Sequence, residues 1–394
     1  MGDRVTVEVG AVAHGGHCVA RHRGQVLFVR HGLPGESAVV EVTSVGSGGR
    51  FLRADAVEVL TASPDRRVPP CPVASRCGGC DWQHATVAAA RALKADVVRE
   101  SVRRFAGIDL PDDFRVQEVP DPNAHRSTPE GLGWRTRGTL SVDGQGRAGF
   151  LAHRSHEVVV AGGCPQLHGR LEAAGLFTST WGPGQRIGFV APAEGPPQAF
   201  GADSPPAEPV RERAAGRAWA VAPDGFWQVH PGAADALVGQ VLAMLAPRPG
   251  ERLVDLYAGV GLFGLSAAAA TPGVEVTLVE GDRRACALAQ QNAGDLPATV
   301  VRASVDRFVA RPGALAGTDL VVLDPPRTGA RAAVVTAIAD ARPRAVAYVA
   351  CDPVALARDL GTFAGHGFRL DGLVALDLFP TTHHVECVAH LSRD

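Results

Sequence analysis

The sequence predicts a multidomain α/β protein with a small N-terminal β-barrel, a central α+β region and a C-terminal Rossmann-like sheet. Three observations support this prediction. Short alternating strands fill residues 1–60, four cysteines follow within residues 61–217, and strand-like runs alternate with helical stretches over residues 218–394. An alternation of strands and helices favours a parallel sheet covered by helices on its faces.

The bulk composition indicates a soluble protein of more than one domain. The chain has 394 residues, 46% hydrophobic content and a formal net charge of −2. No apolar run approaches the roughly 20 residues of a membrane span, and the first ten residues lack an apolar signal core. We therefore expect a cytoplasmic location and no membrane partner. The strongly basic balance that would directly indicate nucleic-acid binding is missing, although nearly every basic residue is arginine, which suits base stacking and phosphate contacts.

The N-terminal region reads as strands separated by turns. Residues 5–9 alternate between apolar and polar side chains, as do residues 25–30, 37–42 and 54–59. Glycine-rich stretches separate these runs. Several short strands at even spacing suggest a barrel of the OB type, which commonly binds nucleic acid. An ordinary β-module without a ligand is the alternative.

The central region begins with a cysteine cluster. Its four cysteines are Cys71, Cys77, Cys80 and Cys164. In a cytosolic chain, such a cluster indicates metal binding or catalysis more than disulfide bonds.

Three further segments of the central region have readable patterns. Residues 86–106 carry an apolar stripe that predicts a helix, and residues 134–160 return to a strand pattern. Residues 191–216 are rich in Pro, Gly and Ala. We expect this last segment to be a flexible linker or a surface loop.

The C-terminal region contains the strongest fold signal. Strand-like runs occupy residues 252–257, 275–279, 320–323 and 345–349, with helical stretches between them. Residues 368–391 leave no room for another crossover helix. We therefore expect two final strands that close the sheet as an antiparallel pair.

A glycine-rich turn follows the first of these strands. Gly259 and Gly261 allow the backbone to approach a ligand closely. Glu280 ends the next strand, where a carboxylate can accept hydrogen bonds from ribose hydroxyls. The spacing Gly259-x-Gly261-x-x-Gly264 also fits a dinucleotide fingerprint, so by itself it does not separate NAD from S-adenosylmethionine.

Three chemically useful side chains follow later strands. Asp324 begins an Asp-Pro-Pro element at the end of a buried strand, and Cys351 lies just beyond the next strand. Ligands bind outside the carboxyl ends of strands in such sheets. Glu386 follows a proline turn and supplies a further carboxylate.

These groups suit methylation of carbon 5 of uracil, which is a poor nucleophile. A thiolate that adds to carbon 6 converts the ring into an enolate, and a base must later remove the carbon-5 proton. Cys351 is the candidate nucleophile and Glu386 the candidate base. Tyr257, the Gly259–Gly261 turn and Glu280 are the candidate cofactor-binding residues. A target base must leave its stack to reach such a pocket.

The catalytic half resembles the RNA uracil-5 methyltransferases. The matching motifs, in one order over about 170 residues, are residues 226–228, 255–264, 324–329, 351–360 and 379–386. The resemblance implies S-adenosylmethionine as the cofactor. It also implies that Gln228, Tyr257, Glu280 and Asp324 line the cofactor and uracil pocket, with Cys351 as nucleophile and Glu386 as base.

The N-terminal regions resemble the same family. Residues 1–60 are similar to the TRAM module, an OB-like RNA-binding fold. Cys71, Cys77, Cys80 and Cys164 resemble the family's iron–sulfur segment, although four thiolates suit either a 4Fe-4S cluster or zinc. The resemblance implies action on ribosomal or transfer RNA, and the cysteine cluster and TRAM-like module favour ribosomal RNA. We expect a monomer.

Two alternatives remain at this point. An NAD-dependent oxidoreductase would use the glycine turn but leaves Asp324, Cys351 and Glu386 without a role. A non-catalytic RNA-binding iron–sulfur protein would leave the Cys351 and Glu386 pair unused.

Overall fold

The computed structural model describes residues 2–122 and 129–393 of the chain. The strands are β1 Arg4–Ala13, β2 His17–His22, β3 Gln25–Arg30, β4 Ser37–Val45, β5 Phe51–Thr61, β6 Val116–Glu118, β7 Arg137–Val142, β8 Ala148–Leu151, β9 Val158–Val159, β10 Arg186–Val190, β11 Gln198–Gly201, β12 Val210–Ala214, β13 Arg217–Val221, β14 Arg252–Leu256, β15 Glu275–Glu280, β16 Ala298–Arg302, β17 Leu320–Leu323, β18 Ala345–Ala350, β19 Arg369–Asp377 and β20 Glu386–Ser392. The α-helices are α1 Val87–Ala106, α2 Ala233–Leu245, α3 Leu262–Ala270, α4 Arg283–Ala293, α5 Val305–Val309, α6 Arg331–Ala341 and α7 Pro353–Gly365. Short 3-10 helices span Ser47–Gly49 and Gly169–Ala174.

The N-terminal strands form a closed barrel in the order β1-β2-β3-β5-β4. Alternate side chains point inward, because successive residues of a strand face opposite sides. Val7, Val29 and Val40 are among the buried side chains of its core. The predicted N-terminal β-barrel is confirmed.

A second sheet has the order β11-β10-β7-β8-β9, and β12 and β13 form a separate hairpin. Residues 191–216, expected to be a linker or a surface loop, contain β11 and β12, so that expectation was wrong. Val210 and Ala214 are buried in the main core. Because Pro and Gly are abundant in this segment, its sequence pattern did not predict the short strands, which tertiary contacts stabilise.

The C-terminal sheet has the order β16-β15-β14-β17-β18-β20-β19-β6. Strands β14 to β18 run parallel, while β20 is antiparallel to both β18 and β19. Apolar clusters cover both faces of this sheet. The predicted Rossmann-like sheet with an antiparallel closing pair is confirmed.

Two central elements pack on this C-terminal sheet. Helix α1 contacts α7, and β6 pairs in parallel with β19. The Lys94 ammonium on α1 lies 2.5 Å from Asp377 Oδ1, and both side chains are buried.

The predicted domain limit at residue 217 falls inside the β12–β13 hairpin, so the domain limits stay a prediction. In the part of the chain that the structure describes, no helix has the length and apolarity to cross a membrane.

Candidate active site

The parallel strands bring the predicted site residues to one edge of the sheet. Leu256 of β14 pairs with Leu323 of β17, so the next residues, Tyr257 and Asp324, end neighbouring strands. Asp324 N donates to the Leu256 carbonyl at 3.4 Å. The carboxyl edge of the sheet therefore carries the candidate cofactor and uracil groups together, as expected for this sheet type.

An antiparallel ladder brings the predicted nucleophile and base together. Ala350, the last residue of β18, pairs with Cys387 of β20. Continuing that register places Cys351 opposite Glu386. Residues directly opposite in an antiparallel pair have Cβ atoms about 4.5–5.5 Å apart. The two residues, distant in sequence, thus share one position at the end of the sheet.

The Cys351 thiol is protonated at neutral pH. Burial, followed by the nearby carboxyl groups of Glu386 and Asp324, raises its pKa to about 12. The positive charge of Arg327 acts to lower this pKa. Because the thiolate is the reactive form, a neighbouring group must take the thiol proton during addition.

The two carboxyl groups beside Cys351 are both less acidic than an exposed carboxyl group. Burial raises the pKa of Asp324 to about 7. Burial and then the charge of Asp324 raise the pKa of Glu386 well above its usual value, against the effect of Arg327. Two nearby carboxylates resist simultaneous ionisation, and a base with a pKa near the working pH is effective.

The glycine turn is shaped by close packing. Gly261 has a φ of 92°, and an added Cβ would lie 2.7 Å from a methyl group of Leu265. Gly264 N donates to Asp255 Oδ2 at 2.8 Å, which ties the start of α3 to β14. Burial raises the pKa of Asp255 to about 8.

Glu280 closes this turn from the next strand. Its carboxylate accepts hydrogen bonds from Gly259 N at 2.9 Å and from Asp282 N at 2.7 Å. The predicted residues Gly259 and Glu280 are therefore adjacent. Their ribose contacts remain a prediction.

The structure gives less direct support for a place of Tyr257 and Gln228 in the cofactor site. Tyr257 has a positive φ of 63°, a strained conformation of the kind that occurs at functional sites. Gln228 is buried in the loop between β13 and α2. Thr136 holds this loop through hydrogen bonds of its backbone and hydroxyl to the Val229 carbonyl.

The loop between β19 and β20, which precedes Glu386, is tied to the cysteine segment (residues 71–83). Asp81 N and Trp82 N both donate to the Thr381 carbonyl, at 3.1 and 2.9 Å. Gln166, two residues after Cys164, donates to the Thr381 hydroxyl at 2.9 Å. The cysteine-bearing segments therefore position the loop that leads into Glu386.

Two contacts at the site were missed from the sequence. Asp81 Oδ2 lies 2.7 Å from His383 Nδ1, and Asp352 Oδ2 lies 2.9 Å from Nε2 of His14 in the barrel. Asp81 directly follows Cys80, and Asp352 directly follows Cys351. The position of each aspartate directly after a candidate functional cysteine could have identified it from the sequence. The histidine that each aspartate contacts is set by the tertiary fold and could not be predicted.

The four predicted ligand cysteines line one cavity, although the chain separates Cys164 from the other three. Burial raises the pKa of Cys77, Cys80 and Cys164, to about 12 for Cys80. The Arg135 guanidinium lies beside these three thiols, whose charges act to raise its pKa against a larger lowering by burial.

The side-chain positions of this cysteine group do not match a single bound ion. Within residues 2–122 and 129–393, no set of three or more His, Cys, Asp or Glu side chains is arranged to hold one metal ion.

Three family models match parts of the chain. The TRAM domain matches residues 1–57, the methyltransferase small domain matches residues 233–345, and the tRNA (uracil-5-)-methyltransferase model matches residues 316–394. The last match includes Asp324, Cys351 and Glu386.

Relatives match nearly the whole chain. A protein of Streptomyces avermitilis described as an uncharacterized RNA methyltransferase is 42% identical, over 99% of this chain and 98% of its own length. A Pseudomonas aeruginosa protein named 23S rRNA (uracil(1939)-C(5))-methyltransferase RlmD is 32% identical, over 98% of this chain and 93% of its own.

A solved structure shares the whole fold. The Pyrococcus abyssi tRNA (uracil-54, C5)-methyltransferase, in complex with S-adenosyl-L-homocysteine, superimposes with a TM-score of 0.68. At 22% identity the alignment covers 98% of this chain and 99% of that one. Sequence relatives, family models and the arrangement of the site agree, and the chain belongs to the family of S-adenosylmethionine-dependent RNA methyltransferases that act on carbon 5 of uracil.

Proposed function

We propose that this protein methylates carbon 5 of a uridine in RNA, with Cys351 as the nucleophile and Glu386 as the base. The observation that carries the proposal is the ladder register that sets Cys351 opposite Glu386. Asp324 and Arg327 contribute charge at the same place. This combination supplies both the covalent step and the proton transfer that the reaction needs.

The residues divide the reaction into two steps. A carboxylate of the Asp324 and Glu386 pair takes the proton of the Cys351 thiol, and the thiolate sulfur bonds to carbon 6 of the uracil. After carbon 5 has gained its methyl group, Glu386 removes the carbon-5 proton, the carbon–sulfur bond breaks and Cys351 leaves as a thiolate. Covalent catalysis of this kind replaces one difficult step by two easier ones.

S-adenosylmethionine supplies the methyl group as an electrophile when it is bound. We propose that Gly259 and Gly261 allow its close approach, and that Tyr257, Gln228 and Glu280 contact it. The support is their placement around the carboxyl edge of β14 and β15. The carboxylate of Glu280 would have to retain or exchange its bonds to Gly259 N and Asp282 N when a ribose binds.

Ribosomal RNA is the substrate we propose, with transfer RNA as the alternative. The Pseudomonas relative that matches almost the full chain is named for 23S rRNA, whereas the structural neighbour is named for tRNA. Mapping 5-methyluridine in cellular RNA with and without the gene separates the two. Loss of the modification from one RNA class assigns the substrate.

We also propose that Cys71, Cys77, Cys80 and Cys164 hold a 4Fe-4S cluster. Four thiolates are its usual ligands. The chemistry above requires no electron transfer, so the cluster would stabilise the contacts of the cysteine segment with the β19–β20 loop. Iron and sulfide analysis of anaerobically purified protein tests this assignment, and stoichiometric zinc without iron would overturn it.

RNA that contains 5-fluorouridine tests the catalytic proposal. Fluorine at carbon 5 cannot leave as a proton does, so the covalent adduct should persist as a slower band in a denaturing gel. The Cys351→Ala variant should form no adduct. An adduct that forms equally well with this variant would assign the nucleophile elsewhere.

A further inference from the structure

A second cavity adjoins the candidate active site, and the proposed chemistry leaves it unused. We name it the flanking cavity; it lies between Gly79 of the cysteine segment, Ser141, Phe150 and Arg186 on neighbouring strands, and His384 of the β19–β20 loop. Its volume is about 440 Å³. Ligand pockets commonly have volumes of about 300–1,000 Å³, so one nucleotide unit is a suitable occupant.

His384 links the flanking cavity to the active site. His384 Nε2 lies 3.3 Å from Arg327 Nη2. The positive charge of Arg327 in turn acts to lower the pKa of both Cys351 and Glu386. An RNA strand that presents its uracil to Cys351 would therefore lead its neighbouring nucleotide past His384.

Arg186 gives this cavity an available positive charge. It is the first residue of β10, directly opposite Ser141 of β7, and strand alternation sends its neighbour Ile187 into the core. Arg186 is exposed, and no salt bridge pairs it among the residues that the structure describes. An unpaired guanidinium at a cavity rim suits a phosphate group.

Arg135 and Phe150 also line the cavity and offer a stacking surface. The Arg135 guanidinium lies 5.0 Å from the ring centre of Trp134 and 5.8 Å from that of Phe150. Its Nε is buried without a hydrogen-bond partner. Aromatic rings and guanidinium planes are the surfaces on which proteins stack unpaired bases.

Histidines supply further flat, neutral surfaces. The rings of His383 and His384 lie 4.1 Å apart between centres. Burial, followed by neighbouring positive charges, lowers the pKa of His153 to about 4 and of His384 to about 3. Both rings are therefore neutral at pH 7 and can donate or accept hydrogen bonds to a base.

The carboxylate of Asp81 at this cavity is held by His383. Asp81 Oδ2 accepts a hydrogen bond from His383 N at 3.0 Å and lies 2.7 Å from His383 Nδ1.

From these features we infer that the flanking cavity binds the nucleotide next to the target uridine, with its phosphate on Arg186 and its base among Phe150, His153 and His384. This inference rests on the proposed function, because the direction of the RNA strand depends on a uracil at Cys351. It makes this cavity a determinant of which uridine is chosen.

Salt-dependent binding of single-stranded RNA tests the phosphate contact. The probe is a fluorescent RNA pool of random sequence, and binding is followed by anisotropy. Arg186→Gln should weaken binding by about tenfold at low salt, because a charge-assisted hydrogen bond to one phosphate is lost. The slope of log affinity against log salt should become shallower by about 0.7, the value for one phosphate of a single strand.

Matched variants separate a local contact from a general charge effect. Arg186→Lys should restore most of the slope, and Arg369→Gln, an exposed arginine on β19, should leave it unchanged. Equal slopes for wild type and Arg186→Gln would overturn the inference. An equal loss in Arg369→Gln would also overturn it, since any surface charge would then serve.

The base contact needs a second readout. RNA with one 5-fluorouridine and random neighbours is incubated with enzyme and cofactor, and the covalent adducts are sequenced. Wild type should show a base preference at one neighbouring position, and His153→Ala should flatten it while adducts still form. Adducts without any neighbour preference would overturn the inference and leave the proposed function intact, whereas absence of adducts with every RNA would overturn the proposed function.

Discussion

The two cysteine-bearing regions of this protein differ in the charge that surrounds buried sulfur. Burial raises the thiol pKa in both regions. Around Cys351 the neighbours are mainly carboxyl groups, whereas Arg135 lies beside Cys77, Cys80 and Cys164. A carboxyl neighbour can take a proton for the duration of one step. A guanidinium cannot accept one, but it stabilises the negative charge that several thiolates and a bound cluster would create.

The largest expected effect comes from removing the catalytic sulfur. Cys351→Ala should lower methyl transfer by at least about 10⁴-fold, since the covalent route is lost, with little change in melting temperature. Transfer of labelled methyl from S-adenosylmethionine to RNA measures this. Cys18→Ala, in the barrel core, should keep the activity. Comparable loss in both variants would contradict a special role for Cys351.

Removing the base should block the second half of the reaction. Glu386→Gln should slow turnover by about 10²–10⁴-fold, the usual contribution of general-base catalysis. Ordinary uridine RNA should then remain attached to Cys351, because its carbon-5 proton is not removed. Denaturing gels would reveal the adduct. A slow variant that accumulates no adduct would place the function of Glu386 before the covalent step.

The cysteine group should affect stability more than chemistry. Cys80→Ser should reduce bound iron and lower the melting temperature. The free energy of unfolding is expected to fall by more than about 2 kcal/mol, because the four cysteine ligands connect several segments. Below the melting temperature, kcat should fall by less than about tenfold, through looser positioning of Thr381 and the β19–β20 loop. A normal melting temperature with abolished activity would instead indicate a direct part in catalysis.

The last expected effect requires no substitution and is a dependence of kcat/KM on pH. Since Asp324 accepts a proton only when ionised, and its pKa is raised to about 7, kcat/KM should rise with pH towards a half-maximum near that value. Below it, the rate should fall about tenfold per pH unit if one proton blocks the step. Binding of S-adenosylhomocysteine at each pH serves as the folding control. A half-maximum near the ordinary carboxyl value would show that Asp324 is not part of this proton transfer.

The sequence alone was sufficient to predict the parts of the fold and the site that have a local residue pattern. Period-two strands predicted the barrel, and the strand and helix alternation predicted the C-terminal sheet with its antiparallel pair. Residues that follow buried strands, such as Asp324 and Cys351, were predictable as neighbours because parallel strands end at one edge.

The remaining features depend on contacts between distant segments. Residues 191–216 read as a linker because Pro and Gly dominate them, yet β11 and β12 form where partner strands are available. The His14 contact with Asp352 and the Asp81 contact with His383 carry no local signature. Neither does the docking of α1 and β6 onto the C-terminal sheet.

The ladder between β18 and β20 has an evolutionary consequence. Because Cys351 and Glu386 are fixed by pairing across strands, the stretch between them can gain or lose residues in its loops without separating the pair. A slip of one residue within β20 would have the opposite result, since side chains alternate between faces. Val385 or Cys387 would then stand where the carboxylate belongs. Insertions should thus accumulate in the turns around α7 and β19, while the length of β20 stays constrained.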